Sequence, residues 1–463
     1  MLTYELTEKS KYYSLYSFIR EDILNGNLKS GDKLPSKRTL AENLSVSVVT
    51  VQNAYEQLLA EGYVISKERS GYFVADVNFS FSGETRAEVL PEPEKKGYAL
   101  DLVSGNTPAY LFPFSVWARL MRATLSDEGE HLLERVPCDG DCALKSEIAA
   151  YLYRVRGVKV NPRYVVVGAG AEYLYGVIVQ ILGRDKLYAV ENPGYGKISS
   201  AYALNGAKCA YIPVNLQGVD CDAVERSEAA VLHISPSHQY PTGAVTPAAN
   251  RARLIKWAQD NDSYIVEDDY DSEFRLYGKP LQSMLGLSRD RVIYVNTFSK
   301  SLAPSMRMGY MVLPPKLYAE FTRLFGRSAN VVPLFEQKTL AAMLGEGHLE
   351  RHINRLKNHY RGVRSKLMEA IASLPVKTQI IETGSGLHFT VKFPEGYSDE
   401  RIKAEAAKRN INVKVLSDYL LSPADGCEGV AVVNYSGVTE EQLEKLRGEA
   451  TPLSPRNAAT QRR

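Results

Sequence analysis

Five short apolar runs, each followed by a polar or glycine-rich segment, constrain this fold more than any other feature of the sequence. The runs alternate with helical patterns and are Tyr164–Val167, Leu187–Val190, Val231–Ile234, Tyr264–Val266 and Val292–Val295. Such alternation is typical of an α/β domain with a largely parallel sheet. Ligands of such domains bind where the carboxyl ends of the strands meet, so the polar segments after the runs are the candidate site.

The composition excludes intrinsic disorder and gives no sign of a membrane protein. Of 463 residues, 44% are hydrophobic, and the formal net charge is only +2. The most apolar stretch, Val165–Gly183, is interrupted by Gly168, Gly170 and Glu172, and it is shorter than the ~20 apolar residues of a membrane span. Five scattered cysteines without a CxxC motif are typical of a reducing compartment, and the first residues do not resemble a secretory signal. We therefore expect a cytoplasmic protein.

A composition shift divides the chain. The segment from Phe79 to Gly97, FSFSGETRAEVLPEPEKKG, is polar and charged and lacks helical or strand periodicity. We predict an N-terminal domain over residues 1–76, a linker over 77–97, an effector domain over 98–451 and a flexible tail over 452–463.

The N-terminal domain has the pattern of a winged helix-turn-helix. Apolar residues at helical spacing between Leu15 and Ile23 predict one helix, and a second follows Pro35-Ser36. Ser47 is a good N-cap for a third helix that ends at Gly62. Two short strands then surround a basic tip, which completes the helix, helix, helix, hairpin order of this motif.

Two charged residues after strands predict covalent chemistry in the second domain. Lys300 follows a strand and lies between two serines, where partial burial would make its amine a nucleophile. Asp268 ends another strand, and a buried carboxylate needs a cation such as a protonated pyridine nitrogen. Tyr270, two residues later, could donate to a phenolic oxygen.

The remaining polar segments supply a phosphate site and a ring contact. Arg307, Thr297 and Ser299 can hold a phosphate. Backbone N–H groups at the predicted strand-to-helix turn can complete its cradle, which would be formed by Gly170, Ala171 and Glu172. Tyr195 can stack on an aromatic ring. Together these residues match every part of pyridoxal 5′-phosphate (PLP), whose proteins pair a Schiff-base lysine with an acidic partner of the ring nitrogen.

Two segments carry a family resemblance. TFSKSLAPSMRMGY and SPSHQYPTG resemble motifs of fold-type I, class I aminotransferases, over about Leu100–Ala450. The segment over about Tyr12–Ala75 resembles the GntR-type winged helix-turn-helix domain. The whole chain is therefore similar to the MocR subfamily of GntR-type regulators. The resemblance implies an α/β fold-type I PLP-dependent aminotransferase-like body with an N-terminal winged helix-turn-helix domain, and no metal is expected.

The same resemblance implies a mechanism and partners. It indicates a transcription regulator that binds promoter DNA, senses an amino acid or amine through external aldimine formation at Lys300, and forms a head-to-tail homodimer. An active aminotransferase carrying a DNA-binding domain is the alternative. Two departures favour the sensor: Tyr240 stands where the enzymes have an asparagine, and Val432 where they have the arginine that holds a substrate carboxylate.

The resemblance also assigns residues to DNA. The helix that begins near Ser47 would enter the major groove, with Thr50, Gln52 and Asn53 able to bond base edges. The remaining predicted contacts are Arg38 and Arg69 to phosphates and the wing near Gly71 to the minor groove. Val48 replaces the usual arginine. Residues 1–76 hold nine basic and ten acidic side chains, so a winged helix used for protein contacts is the alternative.

Overall fold

The computed structural model describes Tyr4 and residues 10–77, 97–278 and 281–449. The chain divides into two units, Met1–Lys95 and Lys96–Arg463. The predicted flexible tail and nearly all of the predicted linker lie outside the described residues, so those two predictions are untested.

The N-terminal unit has the predicted order of elements. Its helices and strands are α1 (Lys11–Leu24), α2 (Lys37–Asn43), α3 (Val48–Ala60), β1 (Val64–Lys67) and β2 (Gly71–Val74). Serines begin two of the helices, because the Ser36 and Ser47 hydroxyls accept hydrogen bonds from the first turns of α2 and α3. Strands β1 and β2 form an antiparallel hairpin closed at Lys67 and Gly71.

One hydrophobic core holds this unit together. Leu15 and Ile19 of α1, Leu40 of α2 and Leu58 of α3 are all fully buried. The Tyr55 hydroxyl, also on α3, donates a 2.9 Å hydrogen bond to the Pro35 carbonyl, which ties α3 to the start of α2. The core therefore sets the position of α3, and with it the exposed face that the helix presents.

The C-terminal unit contains fourteen strands among the described residues. They are β3 (Leu100–Asp101), β4 (Val165–Gly168), β5 (Leu187–Asn192), β6 (Lys208–Asn215), β7 (Gly218–Val219), β8 (Val231–Ile234), β9 (Tyr264–Asp268), β10 (Val292–Thr297), β11 (Gly309–Val312), β12 (Gln379–Ile381), β13 (His388–Lys392), β14 (Ile411–Asn412), β15 (Lys414–Val415) and β16 (Val430–Asn434).

Twelve described α-helices accompany these strands. They are α4 (Phe114–Glu128), α5 (Cys142–Arg156), α6 (Ala171–Leu182), α7 (Gly196–Leu204), α8 (Cys221–Arg226), α9 (Ala248–Asp260), α10 (Met284–Leu287), α11 (Pro315–Phe325), α12 (Leu334–Gly345), α13 (His348–Ala372), α14 (Asp399–Lys408) and α15 (Glu440–Glu449).

A large sheet organises this unit. Its strand order is β4-β11-β10-β9-β8-β5-β6-β7, and the central strands β10, β9, β8, β5 and β6 are parallel. Alternate residues enter two hydrophobic cores: Val165 and Val167 pack on one face of β4, and Val166 packs on the other. Burial on both faces explains the unbroken apolar runs of these strands. A separate antiparallel sheet has the order β12-β13-β16-β15.

All five predicted strands are present, and four extend beyond their predicted carboxyl ends. Strand β9 continues through Glu267 to Asp268, and β10 through Asn296 to Thr297. The backbone ladder continues into these polar residues, whereas the apolar pattern ends before them. In the described part of the chain, no helix is long and apolar enough to cross a membrane.

We predict that Leu58→Ala destabilises the N-terminal unit by about 2–5 kcal/mol, since it removes a fully buried side chain from the core. Both tryptophans, Trp117 and Trp257, lie in the C-terminal unit. Hydrogen exchange of α3 amides should therefore accelerate while the tryptophan-fluorescence unfolding curve stays unchanged.

The matched control is Leu59→Ala, the half-buried neighbour, which should have a smaller effect. An equal loss for both variants would show that Leu58 is not a central part of this core.

Candidate cofactor site and nucleic-acid interface

The carboxyl ends of the central strands open onto one cavity of about 360 Å³. Of the ten predicted cofactor residues, all but Gly170 line it: Ala171, Glu172, Tyr195, Asp268, Tyr270, Thr297, Ser299, Lys300 and Arg307. The parallel strand order brings these sequence-distant segments to one edge of the sheet.

Lys300 lies in the turn after β10. Its Nζ donates a 2.6 Å hydrogen bond to the Gly105 carbonyl, a contact between residues 195 positions apart. Burial lowers the pKa of Lys300, and the nearby Asp271 carboxylate opposes part of that effect. A lysine with a lowered pKa presents more of its neutral, nucleophilic amine at neutral pH. The sequence analysis missed Gly105, where an added Cβ would collide with Lys300 Nζ.

Asp268 ends β9 and is buried beneath the cavity. Its Oδ2 accepts a 2.5 Å hydrogen bond from the Tyr175 hydroxyl and lies 3.4 Å from His233 Nε2. The Tyr202 hydroxyl lies 2.6 Å from His233 Nδ1 and continues this network. Burial raises the pKa of Tyr175 well above its ordinary value, so its hydroxyl remains a donor. These three supporting residues were not predicted, although a histidine inside the apolar run of β8 was a visible signal.

The opposite end of the cavity suits an anion. Gly170 precedes α6 with a φ of +87°, and an added Cβ there would lie 2.9 Å from Arg307 Nη2. Arg307 itself has a φ of +48° and donates to the Ala169 carbonyl at 3.2 Å. Guanidinium and helix N-terminus therefore face the same space. Glu172 pairs with Lys197 at 3.4 Å, so its own part in this cradle would be its backbone N–H.

Two tyrosines predicted at the site have different surroundings. Tyr195 is 43% exposed, and its ring meets Tyr240 edge-on with 5.7 Å between centroids. Tyr270 donates a 2.9 Å hydrogen bond to the His238 carbonyl. To donate to a phenolic oxygen, as predicted, the Tyr270 hydroxyl would have to give up its hydrogen bond to the His238 carbonyl.

The two departures from the aminotransferase pattern lie together. Val432 is buried in an apolar cluster with Leu416 and Tyr419, and Tyr240 packs against this cluster. The Tyr240 hydroxyl also donates a 2.9 Å hydrogen bond to the Tyr419 hydroxyl. Val432, at the position where the enzymes have an arginine, therefore shares a cluster with two tyrosines.

A cluster of His238, Asp271 and His388 borders the cavity. His238 Nδ1 lies 2.9 Å from Asp271 Oδ2, and the two imidazole rings are 4.2 Å apart. Their ligand atoms fall within 4.8 Å of one another, which would suit a metal ion, although no metal was expected. Burial holds the pKa of His388 well below its ordinary value. The hydrogen bond between His238 and Asp271 explains why these two side chains lie together, and it requires no metal ion.

The N-terminal unit presents the predicted recognition helix α3. Asn53 is exposed, whereas Gln52 donates to Glu56 at 2.8 Å and accepts from Lys37 at 3.4 Å. The hydroxyls of Ser47 and Thr50 lie 2.8 Å apart at the start of the helix. Of the residues predicted to touch bases, Asn53 is therefore the most accessible.

The residues predicted to touch the DNA backbone or the minor groove surround a basic wing. Arg38 and Arg69 are exposed, and Gly71 has a φ of +108° where β2 begins. Three lysines that the sequence analysis missed hold their ammonium groups over the wing's aromatic rings: Lys33 and Lys67 over Phe73, at 5.9 and 4.8 Å, and Lys37 over Tyr72, at 5.9 Å. The aromatic pair in β2 was the available signal.

Comparisons with known families agree with this division. Residues 11–74 match the family described as bacterial regulatory proteins, gntR family. Residues 102–448 match aminotransferase class I and II, a PLP-dependent family.

Relatives resemble the chain over nearly its full length. It is 35% identical to the uncharacterized HTH-type transcriptional regulator YdeL of Bacillus subtilis (strain 168), over 94% of each chain. It is 32% identical to the probable rhizopine catabolism regulatory protein MocR of Rhizobium meliloti, over 93% of this chain and 91% of that protein.

A solved enzyme shares the fold of the C-terminal unit. The α-aminoadipate aminotransferase LysN from Thermus thermophilus, complexed with N-(5′-phosphopyridoxyl)-L-leucine, matches with a TM-score of 0.65 and 25% identity, over 76% of this chain and 91% of the enzyme. The predicted fold class is confirmed. With a GntR-type winged helix-turn-helix before an aminotransferase-like domain, and regulators as its full-length relatives, this chain belongs to the MocR subfamily of GntR-type transcription regulators.

Proposed function

We propose that this regulator binds PLP around Lys300 and that an amino acid or amine effector acting there changes its affinity for promoter DNA. The observation that carries the proposal is the meeting of a half-buried lysine, a buried carboxylate and a set of groups suited to an anion at one cavity. Its runner-up is an active aminotransferase with a DNA-binding domain.

The donor set fits PLP. When bound, PLP supplies an aldehyde conjugated to an electron-withdrawing ring, on which amines exchange. Lys300 would provide the resident amine, and Asp268 would hold a proton at the ring nitrogen. Tyr175 and His233 keep that carboxylate in place through its Oδ2.

The other predicted residues hold the remaining parts of the cofactor. Arg307, Thr297 and Ser299, with backbone N–H groups of Gly170, Ala171 and Glu172, would bind the phosphate. Tyr195 would cover the ring, and Tyr270 would turn its hydroxyl toward the phenolic oxygen.

The surroundings of the missing arginine favour a sensor over an enzyme. Val432, Tyr240 and Tyr419 belong to an apolar and aromatic wall, and the Lys414 ammonium lies over the outer Tyr419 ring, 5.5 Å from its centroid. Among the described residues, the cations that line the cavity are Lys197, Lys300 and Arg307. Lys300 and Arg307 are assigned to the aldehyde and phosphate, which leaves no arginine for the bidentate grip that an α-carboxylate receives in the enzymes.

DNA binding would use α3 and the wing of a cytoplasmic, head-to-tail homodimer. Ser47, Thr50, Gln52 and Asn53 would face the major groove and Gly71 the minor groove, with Arg38 and Arg69 at phosphates. Two such units would combine two weak contacts into one stronger site. Exposed aromatic side chains on the C-terminal unit, such as Tyr110 and Phe114, support an association between subunits.

The proposed function predicts that absorbance and DNA affinity change together. The full-length protein would be titrated with L-amino acids, D-amino acids and simple amines, while promoter binding is measured by fluorescence anisotropy. One or two compounds should shift the absorbance band of the bound PLP. The same compounds should change DNA affinity by about 5–150-fold, the usual range of allosteric coupling.

Promoter binding that ignores every amine and PLP would contradict the sensor. Conversion to a pyridoxamine form, followed by turnover with oxo-acids, would identify the chain as an aminotransferase.

Lys300→Ala should abolish the absorbance band of the PLP bound to its lysine and leave the fold intact, because the substitution removes the amine proposed to hold the cofactor. The absorption spectrum and circular dichroism measure the two effects. Lys197→Ala is the matched control, since this lysine lines the same cavity and should leave the band in place. A band that survives in Lys300→Ala would disprove the assignment.

Asp268→Asn should weaken PLP retention by roughly 10–100-fold, because charged hydrogen bonds contribute about 1.5–3 kcal/mol. Equilibrium dialysis of the purified protein measures this loss. Glu172→Gln changes another carboxylate at the cavity and should retain PLP. If Asp268→Asn retained PLP as well as Glu172→Gln does, the assignment of Asp268 to the PLP site would be wrong.

A further inference from the structure

The recognition helix α3 carries no lysine or arginine over Val48–Ala60. Its fully buried residues, Val51, Ala54, Tyr55 and Leu58, lie on one face. At 100° per residue, Val49, Asn53 and Glu56 form the stripe on the opposite face. The stripe of α3 that would face the bases thus carries an aliphatic, an amide and a carboxylate group.

The first position of this stripe is apolar and accessible. Val49 is 64% exposed, and Val48 beside it is 43% exposed. The N-terminal residues of a recognition helix are those that contact base edges. A valine at this position cannot hydrogen-bond a base, but it can contact the C5-methyl group of thymine.

The second position is a free amide. Asn53 is exposed, and within the described part of the chain no hydrogen bond involves its side chain. Glu56 is held by Gln52, whose amide donates to it at 2.8 Å. An asparagine amide can bond adenine N6 and N7 at once, whereas the usual bidentate contact to guanine requires arginine or lysine.

We propose that α3 reads A·T base pairs in the major groove, with Val49 against a thymine methyl group and Asn53 against an adenine edge. This assignment rests on the DNA binding of the proposed function and adds its sequence preference. Lys33, Lys37 and Lys67, whose ammonium groups lie over the aromatic rings of the wing, would attract phosphates without regard to sequence, so base choice falls to Val49 and Asn53.

The test begins with selection of binding sites from randomised duplexes by the full-length protein. Each thymine in the selected half-site is then replaced by deoxyuridine, which removes only the C5-methyl group. One replacement should weaken binding roughly fourfold, the value of about 0.8 kcal/mol for a buried methyl-sized group. The same replacement outside the half-site should have no effect.

Variants assign the contacts in a double-mutant cycle. With Val49→Ala, the loss of affinity caused by deoxyuridine should become smaller, because alanine keeps only part of the apolar surface that meets the methyl group. Asn53→Ala should lower discrimination at one A·T pair by roughly 5–150-fold, the value of a bidentate base contact. Gln57→Ala, on the same helix and bonded to Glu61, is the control and should keep both preferences.

A half-site centred on guanine, weakened by 7-deazaguanine and indifferent to deoxyuridine, would overturn the assignment. A protein that binds no duplex under any effector condition would overturn the proposed function as well, which distinguishes the two failures.

Discussion

The buried carboxylate of Asp268 is the constraint on which the geometry of the candidate site depends. A carboxylate costs several kcal/mol to bury unless hydrogen bonds replace its water. Here Tyr175 of α6 and His233 of β8 both approach its Oδ2, and Tyr202 of α7 supports His233. One charge therefore joins two helices to two strands. The same helix α6 begins at Ala171, two residues after the Ala169 carbonyl that accepts a hydrogen bond from Arg307.

Of the three consecutive acidic residues Glu267, Asp268 and Asp269, Asp268 is the one that lines the cavity. The alternation of side chains along a strand explains this difference. Glu267 accepts hydrogen bonds from Ser283 and from backbone N–H groups of α10. Asp269 is buried against Arg156 at 3.2 Å and accepts from the Tyr294 hydroxyl at 2.6 Å. Successive side chains point to opposite faces of a strand. The side chains of Glu267 and Asp269 thus make their contacts on the face of the sheet opposite to the one on which Asp268 lies, and Asp268 lines the cavity.

Local signals were sufficient for much of the fold, and distant contacts limited the rest. The apolar runs predicted five strands, and the polar residues after them predicted Lys300, Asp268 and Arg307 at one edge. Sequence patterns could not reveal that Gly105 lies against Lys300 from 195 positions away. They also could not show the Tyr270 hydroxyl turned to the His238 carbonyl, since its orientation depends on another loop.

Tyr240 and Val432 are the two residues that depart from the aminotransferase pattern. They are physically connected, because Tyr240 packs against the cluster that contains Val432 and Tyr419. An arginine at position 432 would place a charge among the aromatic and aliphatic side chains of this cluster. Burying a charge in such surroundings is unfavourable unless a partner compensates it. An asparagine at position 240, conversely, would remove the ring that packs against this cluster and the hydroxyl that donates to Tyr419. The two positions are therefore coupled through this cluster, since a change at either one alters the packing that surrounds the other.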